Sequence, residues 1–159
     1  MARGDRMAAF EGAFERFLEA VGRIPEDRIG EAMDPVSPRK ILVQLTEWNR
    51  MCGEACRSLR QGVSPGHFAG SGAEASRVED ALRRFQDQQR SSLVDEMLAS
   101  KVELTGFLAD LENHEWTADR GVRHPEGGPA TIRRELERLT RRYLDATDEI
   151  LHWLEPRDP

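Results

Sequence analysis

A chain of 159 residues with 38% hydrophobic and 33% charged side chains is long enough for a buried core, and it contains no apolar run of about eighteen residues that would span a membrane. Its formal charge of −6, with both signs interleaved, argues against a nucleic-acid partner, which would select for a basic face. The N-terminal stretch MARGDRMAAFEGAFERF carries acids within its apolar part and lacks a signal-peptide core, so one domain, 1–159, in the cytoplasm and without a membrane partner is expected.

In the first predicted helix, Phe10, Phe14, Phe17 and Val21 recur at helical spacing, and the helix ends before Pro25. The second starts at Ser37, which can cap a free N–H, with Pro38 at the first helical position. Its stripe of Ile41, Leu45, Trp48, Cys52 and Leu59 runs towards Gly62, and the linker GVSPGHFAGSG follows. Cys52 and Cys56 lie four apart, with Cβ atoms about 5–6 Å apart. An unstrained disulfide wants about 3.8 Å, so both are read as reduced core residues.

The segment Glu74 to Leu111 is too long for one average helix. It divides into a short helix around VEDALRRF and a main one across Leu93, Met97, Leu104, Leu108 and Leu111. The stretch NHEWTADRGVRHPEGGPAT is predicted as a long loop. A fourth main helix begins near Thr131 and buries Ile132, Leu136, Leu139, Tyr143, Ala146, Ile150 and Leu154, ending at Pro156. Within it, RRELERLTRR reads as a solvated face because acids alternate with its bases. With no strand alternation and no repeat, the fold class is an all-α four-helix bundle with long loops and a short extra helix.

Phosphate loops, nucleophile elbows and paired CxxC motifs are absent. His67, His114, His124 and His152 have no partner at i+3 or i+4, so no metal site and no cofactor are expected.

The stretch SPRKILVQLTEWNRMCGEACRSLRQG resembles the second helix of DinB-like four-helix bundles, and LERLTRRYLDATDEILHWL resembles their last. Metal-binding members of that superfamily carry three histidines at positions that fall here on Gln44, Arg142 and Ala146. None of these replacements suits a divalent transition metal. The resemblance therefore implies a metal-free member with Gln44 facing the old central cleft. The pattern Tyr143, Ala146, Ile150 and Trp153 is similar to the colibactin self-resistance branch, which implies binding of a reactive electrophile and hydrolytic opening of its cyclopropane ring.

Ring opening needs an acid for the leaving position and a group that orients water. Tyr143 is the candidate acid, Gln44 the candidate holder of a water or carbonyl, and Glu47 or Asp145 the candidate base. Arg142 would bind a carboxylate or developing negative charge, and Trp48 and Trp116 would stack on a flat ligand. The structural alternatives place Trp48 and Tyr143 in the core, Glu47 and Asp145 in solvent, and Arg142 in an ion pair. A small-molecule ligand is the expected partner. The competing functions are sequestration without catalysis, a homodimerising interaction module, and a metal- and thiol-dependent transferase if the register of the last helix slips.

Overall fold

The computed structural model describes residues 3–31, 33, 36–70 and 72–155, which form six α-helices. These are α1 (Arg3–Gly22), α2 (Pro38–Arg60), α3 (Ala73–Phe85), α4 (Arg90–Ala109), α5 (Asn113–Thr117) and α6 (Ile132–Leu154), with 3-10 turns at Glu26–Arg28 and Gly66–Ala69. Among the described residues there is no strand beyond an isolated bridge between Arg123 and Pro129. The long helices make the bundle: α1 packs on α6, α6 on α2, and α2 on α4. Lys101 of α4 closes the ring onto α1 through Glu11 at 2.6 Å. The all-α bundle is therefore the one the sequence predicts. Among the described residues no helix is long and apolar enough to cross a membrane. Ser71 of the linker and Pro156 lie outside the described residues.

The helix starts follow from their caps. Ser37 Oγ accepts the Lys40 N–H at 3.1 Å, and Thr131 Oγ1 accepts the Arg134 N–H at 3.2 Å. The break between α3 and α4 is held by Arg39 of α2, which donates to the carbonyls of Phe85 (3.1 Å) and Gln88. Part of the predicted long loop is instead α5. Glu112 and Glu115 exchange backbone and side-chain hydrogen bonds in a reciprocal cap. A glutamate in the capping position is why the motif escapes a search for serine or threonine.

The centre of the bundle is Tyr143, fully buried. Its ring packs against Phe10, Phe14 and Phe17 of α1, at centroid distances of 5.8, 5.4 and 5.5 Å. Its hydroxyl donates to Asn49 Oδ1 of α2 at 2.8 Å. Asn49 Nδ2 donates to Ser100 Oγ of α4 at 3.0 Å, and Ser100 donates to the Met97 carbonyl at 2.7 Å. A single chain of buried polar groups thus ties three helices together. Cys52 and Cys56 are buried free thiols, as the spacing predicts.

Tyr143→Phe removes the donor and leaves Asn49 Oδ1 buried without it, a loss of about 1–3 kcal/mol. The expected result is a lower urea midpoint for the Y143F variant with ligand binding by the folded protein unchanged. Loss of binding at unchanged stability would place the phenol in a site.

Candidate functional site

A groove opens where α2 and α6 meet the 3-10 turn at Gly66–Ala69, the start of α3 and the loop that precedes α6. Its outer part, about 590 Å³, is lined by His67, Phe68, Gly70, Glu74, His124, Pro125, Glu126 and Arg138. That volume lies within the range of small-molecule pockets, about 300–1,000 Å³. The inner part reaches Trp48, Met51, Cys52, Glu135, Leu139 and Arg142 and shares His67, Glu74 and Arg138 with the outer part. It holds about 20 Å³, room for about one water molecule.

Helical periodicity aims these side chains. Trp48, Met51 and Cys52 follow i, i+3, i+4 on α2, while Glu135, Arg138, Leu139 and Arg142 follow i, i+3, i+4, i+7 on α6. Trp48 is half-buried beneath Arg142, whose guanidinium carbon lies 4.0 Å from its ring centroid. Arg142 also pairs with Glu74 of α3 at 3.1 Å. Phe68 packs edge-on against His124 at 5.3 Å, joining the turn to the loop.

The floor carries the unusual electrostatics. Glu135 is 6% exposed, and its Oε1 has no hydrogen-bond partner. Desolvation pushes its pKa up; Arg138 and Arg142 pull it back only in part. His124 is 3% exposed and stands with Nε2 3.3 Å from Glu135 Oε1. Burial lowers the His124 pKa, helped by Arg138 and Arg134. Burial likewise lowers that of His67. Both shifts move the Glu135–His124 contact towards a carboxylic acid beside a neutral imidazole. His124 is also overcommitted. Its Nδ1 accepts the Glu126 N–H at 3.0 Å, and the Arg138 guanidinium faces Nε2 at 3.0 Å. A neutral imidazole accepts only one hydrogen bond, so one of those donors is left for another acceptor. Among the described residues no three His, Cys, Asp or Glu side chains are grouped to hold a metal ion.

Of the candidate catalytic and ligand-binding residues named from the sequence, Trp48 and Arg142 line the groove, and Gln44, Glu47, Trp116, Tyr143 and Asp145 do not. Gln44 is half-buried one turn nearer the start of α2, whereas the groove opens the other way, through Met51 and Cys52. Ala146 is likewise one turn beyond Arg142 on the closed side. Tyr143 is sealed in the core, where burial raises its pKa and Asn49 takes its proton's hydrogen bond. Glu47 is neither solvated nor in the groove. It is 2% exposed, with Arg50 at 2.8 Å, Arg77 at 3.0 Å and Arg84 at 3.6 Å binding α2 to α3. Trp116 is buried with its Nε1 unpartnered, and Asp145 is exposed to solvent.

Glu135 is legible in the sequence. It sits three residues after Ile132 and four before Leu139, an acid on the apolar stripe rather than on a solvated face. His124 carried no such signal, because only the folded loop brings it to α6.

No family profile and no curated relative matches the chain. Solved structures match its fold. The colibactin self-resistance protein ClbS, in complex with double-stranded DNA, superposes with a TM-score of 0.80 at 12% identity, covering 99% of this chain and 98% of that one. An uncharacterised protein from Escherichia coli UTI89 gives 0.76 at 16% identity, covering 96% and 92%. A Streptococcus pneumoniae protein gives 0.76 at 12% identity, covering 96% and 90%. The bundle resembles that of ClbS.

This likeness corrects one expectation. Net charge does not exclude nucleic acid for this fold, since the ClbS structure contains a DNA duplex. A whole-chain sum of −6 says little about a local face: Arg120, Arg123 and Arg141 are exposed and form no salt bridge among the described residues.

The raised Glu135 pKa predicts a pH signature. The folded state holds this proton more tightly than the unfolded chain. Its stabilising contribution is complete below the ordinary value of 4.5 and is lost as pH rises through the folded value. His124 acts oppositely, lowering stability as pH falls below 6.5. Comparing Glu135→Gln with the parent leaves the glutamate contribution. The urea midpoint of the E135Q variant should therefore gain on the parent as pH rises above about 4.5. A constant difference between about pH 4 and pH 7 would mean an ordinary carboxylate.

Proposed function

We propose that the groove binds a reactive electrophilic small molecule and inactivates it by hydrolytic ring opening, with Glu135 handling the proton. The observation that carries this reading is the buried Oε1 of Glu135, free of hydrogen bonds, in the small inner pocket that adjoins a ligand-sized groove. A carboxyl group held towards its protonated form can donate to the leaving atom of a strained ring as the bond breaks. A water in the inner pocket adds to the released carbon, and its proton restores the carboxyl group. Arg142 on Trp48 and the one spare donor at His124 would orient an oxygen-bearing ligand. The resemblance to ClbS, a self-resistance protein, supports the substrate class.

Glu135→Gln keeps the shape and removes the transferable proton. The expected outcome is loss of about a hundredfold or more in ring-opening rate with electrophile affinity retained. Hydrolysis of a panel of cyclopropane and epoxide substrates at equal rate by the E135Q variant would refute the assignment.

Binding of duplex DNA is a second reading, favoured by the ClbS complex and by the exposed, uncommitted arginines Arg120, Arg123 and Arg141. Here the triple variant R120A/R123A/R141A should weaken binding to any duplex sequence. It should also reduce the slope of log affinity against log salt by about one for each arginine that meets a phosphate. An unchanged slope by fluorescence anisotropy would remove these residues from a DNA face.

A further inference from the structure

We propose that Cys52 is a covalent capture site for small alkylating electrophiles that enter this groove. The proposal rests on the groove being an electrophile site and adds a second fate for the same ligand. Cys52 lines the inner pocket together with Glu135, whose Oε1 is buried and unpartnered there. Cys56, one turn further along α2, is fully buried and does not line the pocket. Its thiol is hydrogen-bonded with Cys52, and that contact and burial push its pKa well up, so it is the inert partner. The cysteine pair therefore presents one sulfur to the cavity and hides the other.

The reaction balances without a co-reactant. The Cys52 sulfur forms a bond to a ring carbon as the strained carbon–oxygen or carbon–carbon bond breaks. The Glu135 carboxyl delivers its proton to the leaving atom, and the thiol proton returns to the carboxylate. The product is a thioether on the protein and an opened ring, the thiol's hydrogen having moved to the ligand. Arg142, stacked on Trp48 at the same pocket, faces the charge that develops on a leaving oxygen. Such capture would end activity after one event, which makes the same pocket both a catalyst and a sacrificial trap.

The test uses the full chain and glycidol, a small neutral epoxide. Intact-mass and peptide mass spectrometry read the adduct, and glycerol release reads hydrolysis in the same sample. The expected result is one adduct per folded chain on Cys52, retained in Cys56→Ser and absent in Cys52→Ser and Cys52→Ala. Glu135→Gln should slow its formation about a hundredfold or more. No adduct on the folded chain, while urea-unfolded protein reacts at both cysteines, would overturn the proposal, as would an E135Q variant that alkylates at the parent rate. Glycerol formed without adduct would sink capture and leave hydrolysis standing. Adduct formed without glycerol would support capture and sink hydrolysis.

Discussion

The hydrogen-bonded chain from Tyr143 through Asn49 to Ser100 sets the register on which the rest of the molecule depends. Buried polar groups tolerate no slip, because each unmatched donor or acceptor is left without water. With Asn49 fixed opposite Tyr143, the next turn of α2 must bring Cys52 against the preceding turn of α6, at Leu139 and Glu135. The three phenylalanines of α1 fill the remaining sides of the Tyr143 ring and lock that face. A residue that looks like an acid for catalysis is therefore the keystone of the fold.

The groove is what remains when this packing stops. Beyond Tyr143, towards the start of α6, α3 reaches the pocket lined by Trp48, Met51 and Cys52 only with its first turn, through Glu74. The turn at Gly66–Ala69 and the loop carrying His124 border the rest of the groove. Loops can hold polar side chains at a depth that helix stripes fill with apolar ones. That is how Glu135 and His124 come to face each other at 3.3 Å, both nearly buried and both driven towards their neutral forms. Arg138 and Arg142 rim the same space. The cations moderate the desolvation of Glu135 but do not pair directly with Oε1. Charge, burial and open volume coincide there, and that coincidence is what the functional reading uses.

Much of the architecture could be read from the chain because it is written locally. Ser37 and Pro38 announce α2, the spacing of phenylalanines announces α1, and the stripe from Ile132 to Ile150 announces α6. The site was harder for two separate reasons. Periodicity places a residue on a face but not at a height along the bundle, so Gln44 and Ala146, on helix faces next to groove residues, fall a turn short of the opening. Burial of charge is also a tertiary outcome. Glu47 reads as a surface acid until Arg77 and Arg84 arrive from α3. The charge sum is silent in the same way, since a net value of −6 is compatible with exposed arginines that form no salt bridge.

The central claim is that Glu135 is a desolvated carboxyl group lining the inner pocket, with Oε1 buried and free of hydrogen bonds and Oε2 3.9 Å from Arg138. A carbon-13 NMR titration of its side-chain carboxyl carbon in the folded protein tests this directly. The account predicts a midpoint above 4.5 that moves when a small oxygen-bearing ligand fills the groove. A midpoint at or below 4.5, insensitive to any ligand, would contradict it.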